Sequence, residues 1–595
     1  MRTSRKVALA LTLAGVAAGG LGPVLAQDRP ESILPPGFGQ PAPAATDPAP
    51  RATAPATAAA PVRPTVQPLP PLDGIEPTPT PTPTGTPTPV QLDPTTRAYY
   101  ELPPSARHGT AMLGPVSDGG FGPDAFGRAD GATVEGLMRR LSAPLPSRWL
   151  SIALRRLLLT QLDTPQDLNG ADFAAERAWL LLRMGESTGA RAVVQGVDDG
   201  DYTPKLYQVA LNAMLATGDP AGMCPLADGG VAATHERGWT VAQAICAGLR
   251  GEPGTAQGLV KDIRRRGVAR GIDLLLAQKV VGAGADGRES ITVEWAGVDR
   301  LTAWRFGLAT AMGVAIPAEL VTGVGPQVRY WQALSPAIAA SARVGAADAA
   351  AGQGVLSSAA LVDLYSSMID DDDADAGVRT AAQDLQVAYT DRDATNRVAA
   401  LKRLWGATGA VPYGRLVLTA RAAALLPPRA DQPEVDRLIA SMLTAGLDRT
   451  AMRWRRVVPT DSDAWAMLAL ADPAGGTIAY GDLAGYAGSG DAARKQRLLF
   501  AGLAGLGRLS AADIERAAQA LDVRVGAESA WSRALDRAAA NGQPGTVVLL
   551  AAIGMQTSDW RGVPPPALYR IVGALRAVGL DGEARMIAAE AIARS

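Results

Sequence analysis

Histidine and cysteine are the scarcest reactive residues in this chain. Its 595 residues include two histidines, His108 and His235, and two cysteines, Cys224 and Cys246. A triad hydrolase needs a positioned imidazole base, and His235-Glu236 lacks the second histidine of a zinc-binding helix. We therefore expect no catalytic residue, no metal and no cofactor, with His235 a polar residue near a helix N-terminus.

Charge bias and long apolar runs are also missing. The formal net charge is −1, from 57 lysines and arginines and 58 acids. Such a balance gives no general attraction to nucleic acid or to membrane surfaces. Beyond residue 26, each apolar stretch is interrupted well before the roughly 20 residues that a membrane span needs. The expected partner is a protein or a cell-envelope component, and the oligomeric state stays open.

The first 26 residues have the pattern of an export signal. Arg2, Arg5 and Lys6 precede an apolar stretch of about 12 residues and then small residues up to Ala26. There is no arginine pair of the twin-arginine type. We expect export by the general secretory route, cleavage after Ala26 and a periplasmic or secreted mature protein.

Residues 27–107 are rich in proline, threonine and alanine, and the run from Pro77 to Pro89 is almost entirely proline and threonine. Such a segment buries too little apolar surface to offset its ordering entropy, so a disordered tether is predicted. Glycosylation of its threonines, and with it a surface role for the tether, stays open.

Beyond the tether, alanine, leucine and arginine recur every three to four residues between glycine and proline breaks, which predicts an all-α fold. Gly185, Gly218, Gly251 and Gly284 follow one another at intervals of 33 residues. Apolar residues stand seven, four and three positions before the first two glycines, as on one face of a helix that a glycine ends. Acids and prolines after the first three glycines favour the start of a second helix.

This helix–glycine–helix register resembles the tetratricopeptide αα repeat. The pattern returns near the C-terminus, where Gly579 separates an apolar helix from the segment Glu583-Ala584. The resemblance implies an α-solenoid of helical hairpins and implies architecture without a function. We expect repeats at 108–290 and 481–595 and irregular helices at 291–480, with a separate α-domain in the middle as the alternative.

The repeat geometry also predicts an intramolecular disulfide between Cys224 and Cys246. Cys224 lies in the predicted second helix of one unit and Cys246 in the first helix of the next, and an exported chain matures where thiols oxidise. The predicted loop from Asp228 to Thr234 would have to run back along the partner helix. Two buried free thiols are the alternative.

Glu186-Ser187 resembles the catalytic Glu-Ser pair of soluble lytic transglycosylases, which also carry a helical superhelix. Glu186, however, occupies the same register position as Asp219 and Glu252, the first turn of a second helix. We interpret it as an acid that the helix dipole favours. The resulting hypothesis is a non-catalytic exported scaffold, with a peptidoglycan-acting enzyme of the transglycosylase type as the alternative.

Two further patterns are weaker. The acidic run from Asp370 to Asp373 partly resembles a calcium loop but has Ala376 and Ala382 where such a loop needs glycine and glutamate, so a solvated helix start is expected. The glycine-rich segment Gly485 to Gly490 lacks the lysine of a phosphate loop.

Two basic clusters remain, and we interpret both as solvated helix faces, with an anionic envelope polymer or an acidic protein surface as the alternative partner. Their residues are Lys261, Arg264, Arg265, Arg266 and Arg270 in the first cluster, and Arg449, Arg453, Arg455 and Arg456 around Trp454 in the second.

Overall fold

A computed structural model describes residues 121–284, 291–406 and 411–595, together with Gly109. The predicted signal peptide, the tether and His108 lie outside the described residues. Within them the chain is all-α: it contains 27 α-helices and short 3₁₀ segments, and no strand. The helices pack in a solenoid-like arrangement, as predicted.

Nine helices form the part in which the sequence repeats. Local capping sets their ends: Asn169 accepts hydrogen bonds from the backbone N–H of Ala171 and Asp172, and Pro204 opens a later helix behind the cap Thr203. The helices are Gly131–Arg140 (α1), Arg148–Leu159 (α2), Gly170–Met184 (α3), Ser187–Gln195 (α4), Pro204–Ala216 (α5), Ala227–Thr234 (α6), Arg237–Leu249 (α7), Pro253–Arg266 (α8) and Gly271–Gly284 (α9).

The repeat-turn glycines adopt the left-handed conformation that favours glycine. The φ angles are 99° at Gly185, 67° at Gly218, 75° at Gly251 and 83° at Gly579. Gly284 differs, because it is the last residue of α9 and has no positive φ. A Cβ at Gly284 would overlap the backbone of α7, so this glycine permits a close helix approach.

The middle of the chain has a hydrophobic cluster of its own, which includes Val344, Leu361, Tyr365 and Val417. All described residues from 121 onward nevertheless belong to one compact unit. The helices here are Ala303–Ala311 (α10), Ala318–Thr322 (α11), Gln327–Leu334 (α12), Ala340–Gly352 (α13), Ser358–Ser366 (α14), Ala376–Thr390 (α15), Ala394–Trp405 (α16), Tyr413–Ala424 (α17), Val435–Thr444 (α18), Asp448–Ala451 (α19) and Asp463–Ala471 (α20).

The C-terminal helices end in the hairpin that the sequence predicts around Gly579. They are Tyr480–Ala484 (α21), Ala492–Gly505 (α22), Ala511–Ala520 (α23), Ala530–Ala540 (α24), Pro544–Gly554 (α25), Pro565–Ala577 (α26) and Asp581–Arg594 (α27). Both α25 and α27 also pack against α2. The first and last hairpins therefore touch, unlike the ends of an open solenoid, whose units contact only their neighbours.

The contact between α2 and α27 depends on one carboxylate. Glu590 of α27 accepts hydrogen bonds from Ser147 Oγ at 2.6 Å and from the backbone N–H of Arg148 at 2.8 Å and Trp149 at 3.2 Å. These groups form the N-terminus of α2, where backbone donors lack a partner within the helix and a negative charge is favoured. Glu590 thus caps a helix more than 400 residues away in the chain.

The buried side chain of Arg148 links α2 to further segments of the protein interior. Its side chain donates to the backbone carbonyl oxygens of Thr444 at 3.1 Å and Leu356 at 3.2 Å, and also to that of Ala351. Burial lowers the pKa of Arg148 to about 10. We call Arg148, Glu590 and the groups bound to them the α2 hub. It joins α2, the α13–α14 turn, the end of α18 and α27.

Candidate functional site

Helix α8 lies on the outside of the repeats and buries only one stripe. Ala256, Val260 and Ile263 are buried and spaced by four and three residues, so they share one helix face, which packs against α7. Gly267 ends the helix with a φ of 66°. The remaining faces of α8 are largely open to solvent.

Those open faces carry four members of the first basic cluster, and the fifth follows just beyond the helix; all five are exposed: Lys261, Arg264, Arg265 and Arg266 on α8, and Arg270 after it. Within the described residues only Arg265 among them forms an ion pair, with Asp262 at 2.7 Å. The cations stand at the C-terminal end of α8, where the helix dipole favours positive charge. This surface, which we call the α8 face, is locally basic on a chain that is nearly neutral overall.

The predicted disulfide between Cys224 and Cys246 is confirmed, with a Cα–Cα distance of 5.4 Å. The local structure differs from the prediction. Cys224 lies in a 3₁₀ segment, Pro220–Leu226, and not in an α-helix. The predicted loop from Asp228 to Thr234 is wrong, because these residues belong to α6. Pro225 cannot continue an α-helix, so the second helix of this unit is divided in two.

A cleft of about 140 Å³ opens beside the disulfide, between the 3₁₀ segment, α6, α7 and α8. Its walls include Cys224, Cys246 and Leu259 of α8. Two polar pairs complete it: Gln243 donates to Asp228 at 2.8 Å, and Arg250 donates to Glu252 at 2.9 Å. We call it the disulfide cleft. It lies directly against α8, which carries the basic cluster.

The second basic cluster is built differently. Trp454 at its centre is buried, with 1% of its surface exposed, and Arg455 pairs with the buried Asp472 at 2.6 Å. Arg449, Arg453 and Arg456 are exposed. These arginines surround a core tryptophan in the 3₁₀ segment Met452–Trp454 that follows α19, so they share no extended helix face.

Glu186 lies at the N-terminus of α4, but it is not a solvated acid. Its side chain is 3% exposed and its carboxylate accepts a hydrogen bond from Arg155 of α2 at 3.2 Å. Arg155 also donates to the carbonyl oxygen of Gly354 at 2.8 Å. Burial raises the pKa of Glu186 to about 8, in spite of the opposing charge of Arg155. The sequence pattern showed the helix start and missed this burial.

The other candidate residues have local partners. His235 ends α6 in the left-handed conformation, with a φ of 56°, and directly precedes Glu236, the N-cap of α7, so it lies near a helix N-terminus as expected. In the acidic run, Asp371 accepts a hydrogen bond from the N–H of Asp373 at 2.9 Å, and Asp375 caps α15. Among the described residues, no group of three or more potential ligands could hold a metal ion.

The glycine-rich segment near Gly485 encloses a buried polar network that sequence reasoning missed. Asp463 of α20 forms an ion pair with Lys495 at 2.7 Å and accepts hydrogen bonds from Ser489 at 2.6 Å and from the Tyr486 hydroxyl. Burial alone would raise the pKa of Asp463, but these three donors hold it below its usual value. The loop is thereby fixed to the start of α20.

Comparison with known proteins gives no further assignment. The chain matches no family model, no curated protein and no solved structure. In the described part of the chain, none of the helices is long and apolar enough to cross a membrane.

Proposed function

We propose that this chain is an exported, non-catalytic helical-repeat scaffold that binds a protein or a cell-envelope component. The observation that carries the proposal is the α8 face, where four exposed cations stand on a helix that uses only one stripe for packing, with a fifth, Arg270, just beyond its end. Helical hairpins present such faces on a rigid support. The disulfide fits folding in an oxidising compartment, as export requires.

The experiment is affinity capture from a cell-envelope extract with the mature chain, using chemical crosslinking and mass spectrometry. The bait is compared with the triple variant Lys261→Glu, Arg265→Glu, Arg266→Glu. We expect a reproducible partner that is crosslinked near α8 and lost with the variant. A matched control, Arg453→Glu with Arg456→Glu, reverses exposed charge elsewhere and should retain the partner. Capture of no reproducible partner by the wild-type chain would contradict the proposal.

The alternative function, a peptidoglycan-acting enzyme, has one observation in its favour. A carboxyl group with a pKa near 8 is protonated at neutral pH, as a general acid must be. Against it stands the 3% exposure of the Glu186 side chain, which leaves little room for a sugar chain. A zymogram on purified murein decides between the two functions: we expect no clearing, and clearing that disappears in Glu186→Gln would reverse the ranking.

A further inference from the structure

The turn between α14 and α15 holds the densest run of acids in the sequence. Five of the six residues 370–375 are aspartates, and we call this segment the acidic turn. Asp370, Asp372 and Asp373 are exposed. Among the described residues, the carboxylates of these three have no ion-pair or hydrogen-bond partner. The acidic turn therefore presents three negative charges that nothing within the described chain neutralises.

The backbone of the acidic turn is held by hydrogen bonds that leave those three carboxylates unused. Arg379 of α15 donates to the backbone carbonyl oxygens of Asp371 and Asp372, both at 3.2 Å. The other two aspartates serve the turn itself: Asp371 accepts from the N–H of Asp373 at 2.9 Å, and Asp375 caps α15. Because the turn is already ordered, a partner that binds it loses little affinity to the entropy of ordering it.

The α8 face carries cations that are equally unneutralised. Its own acid, Asp262, is paired with Arg265 at 2.7 Å, and Glu252 before the start of α8 is paired with Arg250 at 2.9 Å. Four exposed cations of the face form no ion pair within the described residues: Lys261, Arg264, Arg266 and Arg270. Arginine side chains present a planar fork of donors that matches a carboxylate.

The α8 face and the acidic turn do not meet within one copy. Helix α8 packs against α7 and α9, whereas α14 and α15 pack against α13, α16 and α17. No ion pair of the described residues joins the two surfaces. Opposite charges that stay apart within one copy are free to pair between copies, and complementary surfaces of this kind guide association.

We propose that the acidic turn of one copy of this chain docks on the α8 face of a second copy. The proposal rests on the scaffold function proposed above, in which the α8 face is the binding surface, and it names the occupant of that surface. A second copy is favoured over another acidic protein because every copy carries both surfaces. Since two different surfaces meet, the contact either forms twice in a symmetric pair or continues from copy to copy.

The test is analytical ultracentrifugation of the purified mature chain over a range of protein and salt concentrations. At low ionic strength we expect reversible self-association that increases with protein concentration. Raising the ionic strength from about 0.01 M to about 1 M shortens the screening length from about 30 Å to about 3 Å, so the chain should return to the monomer. A chain that stays monomeric at low salt would overturn the proposal.

Two triple variants each reverse the charge of one surface: Lys261→Glu with Arg264→Glu and Arg266→Glu on the α8 face, and Asp370→Lys with Asp372→Lys and Asp373→Lys on the acidic turn. Each variant should weaken self-association by about tenfold or more, because its two surfaces then carry the same sign of charge. An equimolar mixture of the two variants should associate again, since the unchanged acidic turn of the first meets the unchanged α8 face of the second. A mixture that does not associate would overturn the proposal.

A matched control reverses exposed cations outside both surfaces. Arg453→Glu with Arg456→Glu should leave self-association unchanged, and an equal loss in this control would mean that net charge and not the two surfaces governs it. All substituted positions are exposed, and circular dichroism with thermal unfolding verifies that each variant folds.

Failure of this proposal is distinguishable from failure of the scaffold function, because ultracentrifugation uses only the purified chain. If the chain is monomeric while affinity capture recovers a different protein crosslinked near α8, the scaffold function stands and the second-copy assignment is wrong. If the chain self-associates through both surfaces while capture from envelope extract recovers no partner, the contact between copies stands and the wider scaffold function is wrong.

Discussion

The repeats around α3–α9 and the α2 hub are held together in opposite ways. In the repeats, glycine turns join neighbouring helices, and the longest covalent tie, the disulfide, spans 22 residues. In the hub, Ser147 and Glu590 are 443 residues apart in sequence and bond directly. The repeats therefore depend on local structure, whereas the hub depends on buried charges from distant segments.

The largest expected effect comes from breaking the hub. Glu590→Ala leaves the N-terminal donors of α2 and the side chain of Arg594 without their carboxylate, in a buried site. Removal of one partner from a buried charged network typically costs about 3–5 kcal/mol. Denaturant unfolding of the mature chain measures the loss.

The matched control for the hub is Glu583→Ala on the same helix. Glu583 pairs with Arg156 of α2 at 3.1 Å, but the arginine is 42% exposed. Such a pair contributes about 1 kcal/mol or less. Equal losses in Glu590→Ala and Glu583→Ala would show that the hub adds nothing beyond an ordinary surface contact.

Loss of the disulfide is the next largest effect and acts on the repeats. Closing a loop of 22 residues stabilises a fold by about 3 kcal/mol through the entropy of the unfolded chain. The double variant Cys224→Ser, Cys246→Ser should lose this amount, and added reductant should not destabilise it further. A double variant as stable as the oxidised chain would show that the disulfide leaves repeat stability unchanged.

A smaller loss of stability is expected from alanine substitutions at two repeat-turn glycines, Gly251 and Gly185, whose surroundings differ. Gly251→Ala should cost about 1 kcal/mol from its left-handed backbone alone, because nothing lies within 4 Å of the added Cβ. Gly185→Ala carries the same backbone cost and also drives the Cβ into the ring of Tyr330, so about 2 kcal/mol or more is expected. Thermal unfolding of both variants measures the difference. A Gly251→Ala loss equal to that of Gly185→Ala would refute the role of Tyr330.

The last prediction is a pH dependence from Glu186, which concerns the direction of the change in stability with pH. Its folded pKa, about 8, lies above the ordinary value of 4.5, so the folded state binds the proton more tightly. The stabilising contribution is complete below pH 4.5 and is lost as the pH rises through 8. The wild-type chain should therefore lose stability over this range more steeply than Glu186→Gln. Parallel slopes would mean that Glu186 is ionised in the folded state.

The difference between the local repeat turns and the long-range α2 hub also explains which features could be predicted from the sequence. The register of Gly185, Gly218 and Gly251 predicted turns because a left-handed residue and its helix are neighbours in sequence. No pattern in the sequence predicts the α2 hub, because Arg148 donates hydrogen bonds to carbonyl oxygens about 200 to 300 residues away in the chain. The basic residues of α8 were visible, but their exposure and the adjacent cleft depend on tertiary packing. The divided helix around Pro225 was missed because a proline that interrupts one helical segment can be followed directly by another, which here is α6.

The most direct test of the account is hydrogen–deuterium exchange of the full mature chain, with and without the partner that it captures from envelope extract. The account holds that the hub stabilises the fold and that the edge of the repeats binds the partner. It predicts slow exchange at the start of α2 in both states, and new protection on addition of the partner centred on α8. Protection centred on Arg453 and Arg456, or fast exchange at the start of α2, would contradict it.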